Sequence, residues 1–243
     1  MRTLVLLGWL MVPVVFGAYH YGPGQEKLRL DDVSQVLAQA DRLAAGDQWQ
    51  AASSKYEEAL TMLPEGRAGD ARRIRLLRAK VQMLGNQLPE ANTALRELVD
   101  QMEDDKAADP KVRDEARETL ANAQYYMTWL KRLEGLGAEE WEPDIESARQ
   151  TYRLLAEEAD AAGHPESARK HREDLESAIR LARLELAELQ GLDLPKQCSN
   201  CKSGQCKNPG KKPGGKKPGQ KKEEEKKDSR SAGAGPPPDN SGS

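Results

Sequence analysis

One helical spacing occurs twice in this chain, 39 residues apart, and it limits the possible folds more than any other feature of the sequence. Residues 49–64, WQAASSKYEEALTMLP, carry Trp49, Ala52, Tyr56, Ala59, Leu60 and Leu63 at steps of three or four, so these side chains share one helix face. Ahead of them Gly46 and Asp47 mark a turn, and Val36, Leu37, Ala40, Leu43 and Ala44 describe a preceding helix of the same period. That helix is expected to start at Asp31 or Asp32, whose carboxylates can cap its free N–H groups. Two helices joined by so short a turn make an αα-hairpin. At the fixed offset Gly46 maps onto Gly85, Ala52 onto Ala91, Tyr56 onto Leu95, Ala59 onto Leu98, Leu60 onto Val99 and Leu63 onto Met102. Self-similarity that includes the turn is what stacked helical hairpins produce, because one hairpin cannot bury its apolar face alone.

Composition agrees with helices. Aromatic residues make up only 5% and there is a single Phe, so the core must be built from Ala and Leu, which suits closely packed helices and suits sheets poorly. An all-α protein is expected. A charged fraction of 32% and a mean hydropathy of -0.80 also imply that part of the chain stays outside the core.

Further helices follow the same reading. Ile74, Leu77, Val81 and Leu84 give a third helix from Ala71 up to Gly85, and residues 88–102 give a fourth. A fifth, over residues 110–133, is the most aromatic part, with Tyr125, Tyr126 and Trp129 beside the stripe Val112, Ala116, Leu120, Ala123, Met127 and Leu130. Residues 139–143, with Trp141, read as a linker, a sixth helix runs from Asp144 to Gly163, and a long charged seventh covers residues 165–190. Seven helices leave the fifth as either a solitary insert or the first half of a pair.

Gly46, Ala52, Tyr56, Ala59 and Pro64 resemble the turn glycine, small residue, aromatic, alanine and closing proline of the tetratricopeptide (TPR) family. The second copy keeps Gly85 and Ala91 but has Leu95 and Leu98 in place of the aromatic and the alanine, and Gly163, Ala168 and Leu175 give a third, degenerate match. The resemblance is close in the first hairpin and loose over residues 31–190. It implies a short TPR-like array of about seven helices whose concave face binds a protein or an extended peptide.

Both ends of the chain differ from this middle. Residues 4–21 form an essentially uncharged run behind Arg2, about 27 Å long as a helix and close to the thickness of a bilayer's hydrocarbon core. Residues 1–24 are therefore expected to be an N-terminal membrane anchor or a signal segment. The first gives a single-pass membrane protein with its helical domain, residues 25–192, on the extracytoplasmic side; the second gives a secreted protein. From Pro195 onward 12 Lys+Arg stand against 5 Asp+Glu, leaving 25 against 35 of the chain's 37 and 40 for the rest. Residues 193–243, rich in Lys, Pro, Gly and Ser, read as a disordered tail. An acidic body argues against nucleic acid as a partner.

Candidate chemistry is sparse. Cys198, Cys201 and Cys206 form C-x-x-C-x-x-x-x-C, in which two thiolates can chelate Zn²⁺ although a structural site wants four ligands and no His lies near. Oxidised, the same set gives one disulfide and a spare thiol able to cross-link two copies into a homo-oligomer. The three histidines are scattered and too few for a metal or catalytic triad, His20 being expected at the membrane boundary and His164 and His171 in solvated roles, and no phosphate loop, G-x-S-x-G or H-E-x-x-H is present. No enzymatic activity and no required cofactor are expected. Tyr125, Tyr126, Trp129 and Trp141 are the candidate partner-binding residues, with Tyr126 the one expected to be exposed, against the competing reading that most of these rings fill the core. The sequence points to a membrane-tethered TPR-like scaffold for protein interactions, or alternatively to a metal- or redox-responsive module acting through the cysteine cluster.

Overall fold

The helical spacing is realised throughout. The computed structural model describes residues 23–192 and, ahead of them, residues 9, 11–13 and 17. The described residues contain helices and no strand. The helices are α1 (Pro23–Ala45), α2 (Trp49–Met62), α3 (Ala68–Leu84), α4 (Leu88–Glu103), α5 (Pro110–Leu133), α6 (Ala138–Ala161), α7 (Pro165–Arg183) and the single turn α8 (Leu186–Gln190). Each of α1 to α6 packs on the next in sequence, and α8 returns to α5.

The turns explain this order. After α1 the N–H of Gln48 reaches back to the carbonyl of Leu43 at 2.9 Å, and after α3 the N–H of Gln87 reaches Gln82 at 2.9 Å. The residue before each donor, Asp47 or Asn86, adopts φ 59° or 60°. This is the Schellman ending, which satisfies orphan carbonyls by placing one residue in the left-handed region. Asp and Asn tolerate that region better than most residues because their short polar side chains can bond locally. The same ending recurs after α5, from Leu136 to Lys131 across Gly135, and after α6, from His164 to Ala159 across Gly163. Gly85 serves a different need. A Cβ there would lie 3.0 Å from that of Trp49, so a side chain at residue 85 would push the second turn away from the start of α2 by a few tenths of an ångström.

Three apolar clusters fill the spaces between helices. The first joins Val33, Val36 and Ala40 of α1 with Ala52, Tyr56 and Ala59 of α2 and Ile74 and Val81 of α3. The second joins Leu76, Ala79 and Met83 on another side of α3 with Leu88, Leu95, Leu98 and Met102 of α4 and Val112, Ala116 and Ala123 of α5. Ala121 and Trp129 of α5 meet Ile145, Ala148 and Tyr152 of α6, Ala178 and Leu181 of α7 and Leu189 of α8 in the third. Helices α3 and α5 thus belong to two clusters each. Alanines lie at the contacts of every cluster, which lets the helix backbones approach closely.

Several boundaries differ from expectation. α1 begins at Pro23, eight residues before Asp31, because residues 25–30 hold no helix breaker and Glu26 forms an ion pair at 3.0 Å with Arg67 beyond α2. α6 begins at Ala138, so Trp141 lies on a helix and not in a linker. Pro143 is tolerated there because, so close to the N-terminus, it forfeits only one intrahelical bond. The expected seventh helix breaks at Leu184, whose extended ψ of 141° separates α7 from α8. The guanidinium of Arg132 donates to the carbonyls of Leu181 and Leu184, and a capping box of Glu185 and Glu188 starts α8. α5 is not a solitary insert, since it packs on both α4 and α6.

The membrane reading needs correction. No helix among the described residues is long and apolar enough to cross a membrane. α1 has 23 residues, but Glu26, Lys27, Arg29, Asp31 and Asp32 in its first half are incompatible with hydrocarbon. The expected single-pass topology with an extracytoplasmic domain is withdrawn on that finding. Most of residues 1–22 lie outside the described residues; Trp9, Met11 and Val12, which are described, are exposed. The tail from residue 193, with Cys198, Cys201 and Cys206, also lies outside them.

Candidate functional site

The 24-residue helix α5 organises the chemistry. Asp109 caps it, its carboxylate accepting the N–H of Lys111 at 3.0 Å, and Pro110 occupies the first turn, where its missing N–H costs nothing. With that start fixed, residues spaced by three and four along α5 face either α4 or α6 and α7.

The aromatic set sits mostly inside. Tyr126 and Trp129 are each only 6% exposed, so the expectation that Tyr126 reaches solvent is corrected: its spacing from Ala116, Leu120 and Ala123 carries it into the second cluster. Tyr125 is half-buried, edge-on to Tyr126 with centroids 5.6 Å apart and 6.2 Å from the Trp129 ring. Trp141, also half-buried, lies 4.8 Å beneath the Arg132 guanidinium, the same group that closes α7. This stacked cation holds the α5–α6 pair against the end of α7. The cysteines fall outside the described residues and contribute nothing to these sites.

Two polar features emerge instead. One is a groove enclosing about 250 Å³ between α4, α5 and α6, lined among others by Val99, Glu103, Leu120, Gln124, Thr151 and Leu154. Gln124 is 1% exposed, and its Oε1 is a buried acceptor with no hydrogen-bond partner. Leu154 is exposed at the rim. Arg117, at one end, forms ion pairs with Glu103 of α4 at 3.2 Å and Glu158 of α6 at 3.6 Å, tying the groove walls together. Beyond the other end Asp144, buried in α6, accepts from Arg96 of α4 and from Lys131 of α5.

The other feature is a buried polar cluster where α5, α6 and α7 meet. Tyr152 of α6 donates to Asn122 Oδ1 of α5 at 2.8 Å, and burial pushes its phenol well above the ordinary value of 10.0, helped by the charges of Asp174 and Glu118. Burial also raises Tyr125, opposed by Arg180 and reinforced by Asp174. His171 of α7 is buried, contrary to the expectation of a solvated role, and its Nδ1 has no hydrogen-bond partner. Burial lowers its pKa from 6.5, the Lys170 ammonium adds to that, and Glu118 and Asp114 oppose it. Oxygens of Glu118 and Asp174 and a nitrogen of His171 lie within 4.8 Å of one another. A linear reading misses this trio because Glu118 comes from a different helix than His171 and Asp174. The one signal in the sequence was His171 sharing a face with Asp174, Leu175 and Ala178 of α7, a stripe that must point inward.

No family model, no curated protein and no solved structure matches this chain.

Proposed function

We propose that the chain is a TPR-like scaffold that binds an extended peptide segment of a partner protein in the groove between α4, α5 and α6. One observation carries this reading: Gln124 Oε1 is a buried acceptor without a partner in the floor of an open groove. A buried amide oxygen calls for a donor, and the backbone N–H of an extended peptide supplies one. Leu120 and Leu154 on either side favour an aliphatic side chain next to that N–H. The TPR-like assignment is supported by the recurring Schellman turns at Asp47 and Asn86, which lie at the same 39-residue offset as the apolar faces. Function then consists of binding, with no reaction assigned to the groove.

Panning a displayed library of short peptides on the full chain, followed by fluorescence anisotropy with the enriched sequences, tests the reading. The expected result is a set of related peptides sharing an aliphatic residue. Their affinity should fall at least about tenfold in Gln124→Leu and in Leu154→Lys, the equivalent of one lost hydrogen bond or one lost apolar contact. Leu136→Ala, an exposed change in the α5–α6 turn, should leave affinity unchanged. Failure to enrich any peptide, or binding indifferent to both groove substitutions, overturns the proposal.

A further inference from the structure

We propose that Glu118, His171 and Asp174 bind one divalent first-row metal ion, of the zinc type, between α5 and α7. Three observations meet at this place. First, the potential ligand atoms are within 4.8 Å of one another. In a tetrahedral site, metal bonds of about 2.0–2.2 Å place ligand atoms about 3.4 Å apart, so closing the set takes a movement of about 1–1.5 Å, within reach of side-chain rotation. Second, His171 is 8% exposed and its Nδ1 has no hydrogen-bond partner. A polar atom in that position lacks the compensation buried groups normally have, and a metal ion supplies it. Third, the helices hold the set together: His171 and Asp174 stand one turn apart on the inward face of α7, and Glu118 approaches from α5.

The surrounding chemistry narrows the ion. An imidazole coordinates through the lone pair of its neutral form. One imidazole with two carboxylates is a mixed nitrogen and oxygen set, which favours zinc, manganese or ferrous iron over magnesium or calcium, whose sites are built from oxygen. Three protein ligands leave a coordination position open. The charged groups facing the site are Lys170, which donates to Glu118, Asp114, one turn before Glu118 on α5, and Arg180, which acts on the neighbouring Tyr125. Of these, Lys170 competes directly for a ligand, since its ammonium holds the carboxylate the metal needs. Binding of the ion therefore weakens or displaces the Lys170 contact.

That competition gives the proposal a signature no purely structural cluster shares. The test uses the full chain with Cys198, Cys201 and Cys206 replaced by Ser, so that tail thiols take no part, titrated calorimetrically with Zn²⁺ and followed by the visible absorption of bound Co²⁺. One equivalent should bind, with affinity at least tenfold weaker in Glu118→Gln and His171→Gln. Lys170→Met, a change on a partly exposed residue, should tighten binding several-fold. Circular dichroism checks that each variant is folded, and if His171→Gln is not, Lys170→Met and Glu118→Gln decide. Absence of stoichiometric zinc, affinity undiminished without His171 or Glu118, or no tightening in Lys170→Met overturns the proposal.

Discussion

Asp144 offers the sharpest test of how the helices are held together. Its side chain is 6% exposed and accepts two charged donors from two other helices, Arg96 of α4 and Lys131 of α5, the latter at 2.8 Å. Asp144→Asn keeps the volume and removes the charge. Hydrogen bonds to charged groups contribute about 1.5–3 kcal/mol each, and orphaning a fully buried ion costs about 3–5 kcal/mol. Here neither cation is orphaned. The Arg96 side chain is 48% exposed and can hydrate in place, and Lys131 keeps the carbonyl of Glu140 at 2.7 Å. The loss should therefore sit near the lower bound, about 2 kcal/mol. Urea denaturation followed by far-ultraviolet circular dichroism measures it as a lower midpoint at unchanged slope. A double-mutant cycle with Arg96→Ala should give a coupling of about 1 kcal/mol. Because the acceptor is buried, 1 M salt should remove only a small part of that coupling. A destabilisation below about 0.5 kcal/mol, or no coupling to Arg96, would show that the junction adds nothing beyond the apolar contacts around it.

Other expectations follow from the same contacts. Arg132→Ala should cost about 2 kcal/mol and loosen α8, seen as lost amide-exchange protection around Leu189; Arg132→Lys should not restore it, because an ammonium cannot serve two carbonyls and stack on Trp141 as a planar fork does. His171 has a folded pKa below its unfolded value of 6.5, so the unfolded chain binds the proton more readily, and stability should fall as pH drops through 6.5 toward the folded value. Thermal melts across that window should lose this slope in His171→Gln. Tyr56, bonded to Asp41 at 2.6 Å, and the buried Tyr152 both have pKa values raised above 10.0, so their stabilisation is complete below pH 10 and lost above it. Ultraviolet titration should show these two phenols ionising at higher pH in the folded chain than in the urea-unfolded chain.

Much of the architecture was legible in the sequence, and the misreadings have identifiable causes. The apolar faces of α2 and α4 follow from period alone, since Ala52, Tyr56 and Ala59 and their counterparts Ala91, Leu95 and Leu98 are all buried. Asp31 and Asp32 suggested a cap because aspartate favours helix starts, yet residues 25–30 are good helix formers and the helix runs through them. Pro143 suggested a linker, but a proline near a helix start breaks little. The third repeat match was placed one residue out: Gly163 occupies the left-handed position held by Asp47 and Asn86, not the preceding position held by Gly46 and Gly85. A pattern of letters finds glycine, whereas the turn selects a backbone angle that Asp and Asn also adopt. For the sites, spacing gave the face on which His171 and Asp174 lie but not their meeting with Glu118, because nothing local encodes which residue of α5 stands opposite. Gln124 carried no signal, since an amide within a helix is noteworthy only once its surroundings are known.

The double burial of α3 and α5 has a mechanical consequence. The three apolar clusters communicate only through these two helices, so the chain behaves like a short row of units in which each depends on its neighbour's wall. Opening α1 and α2 bares Ile74 and Val81 but leaves the other side of α3 packed on α4. Loss of α5, by contrast, dismantles two clusters together with the groove and the polar trio. Cooperativity in this protein is therefore unequal along its length. The first hairpin can open by itself, while the region from α3 to α8 must come apart as one piece.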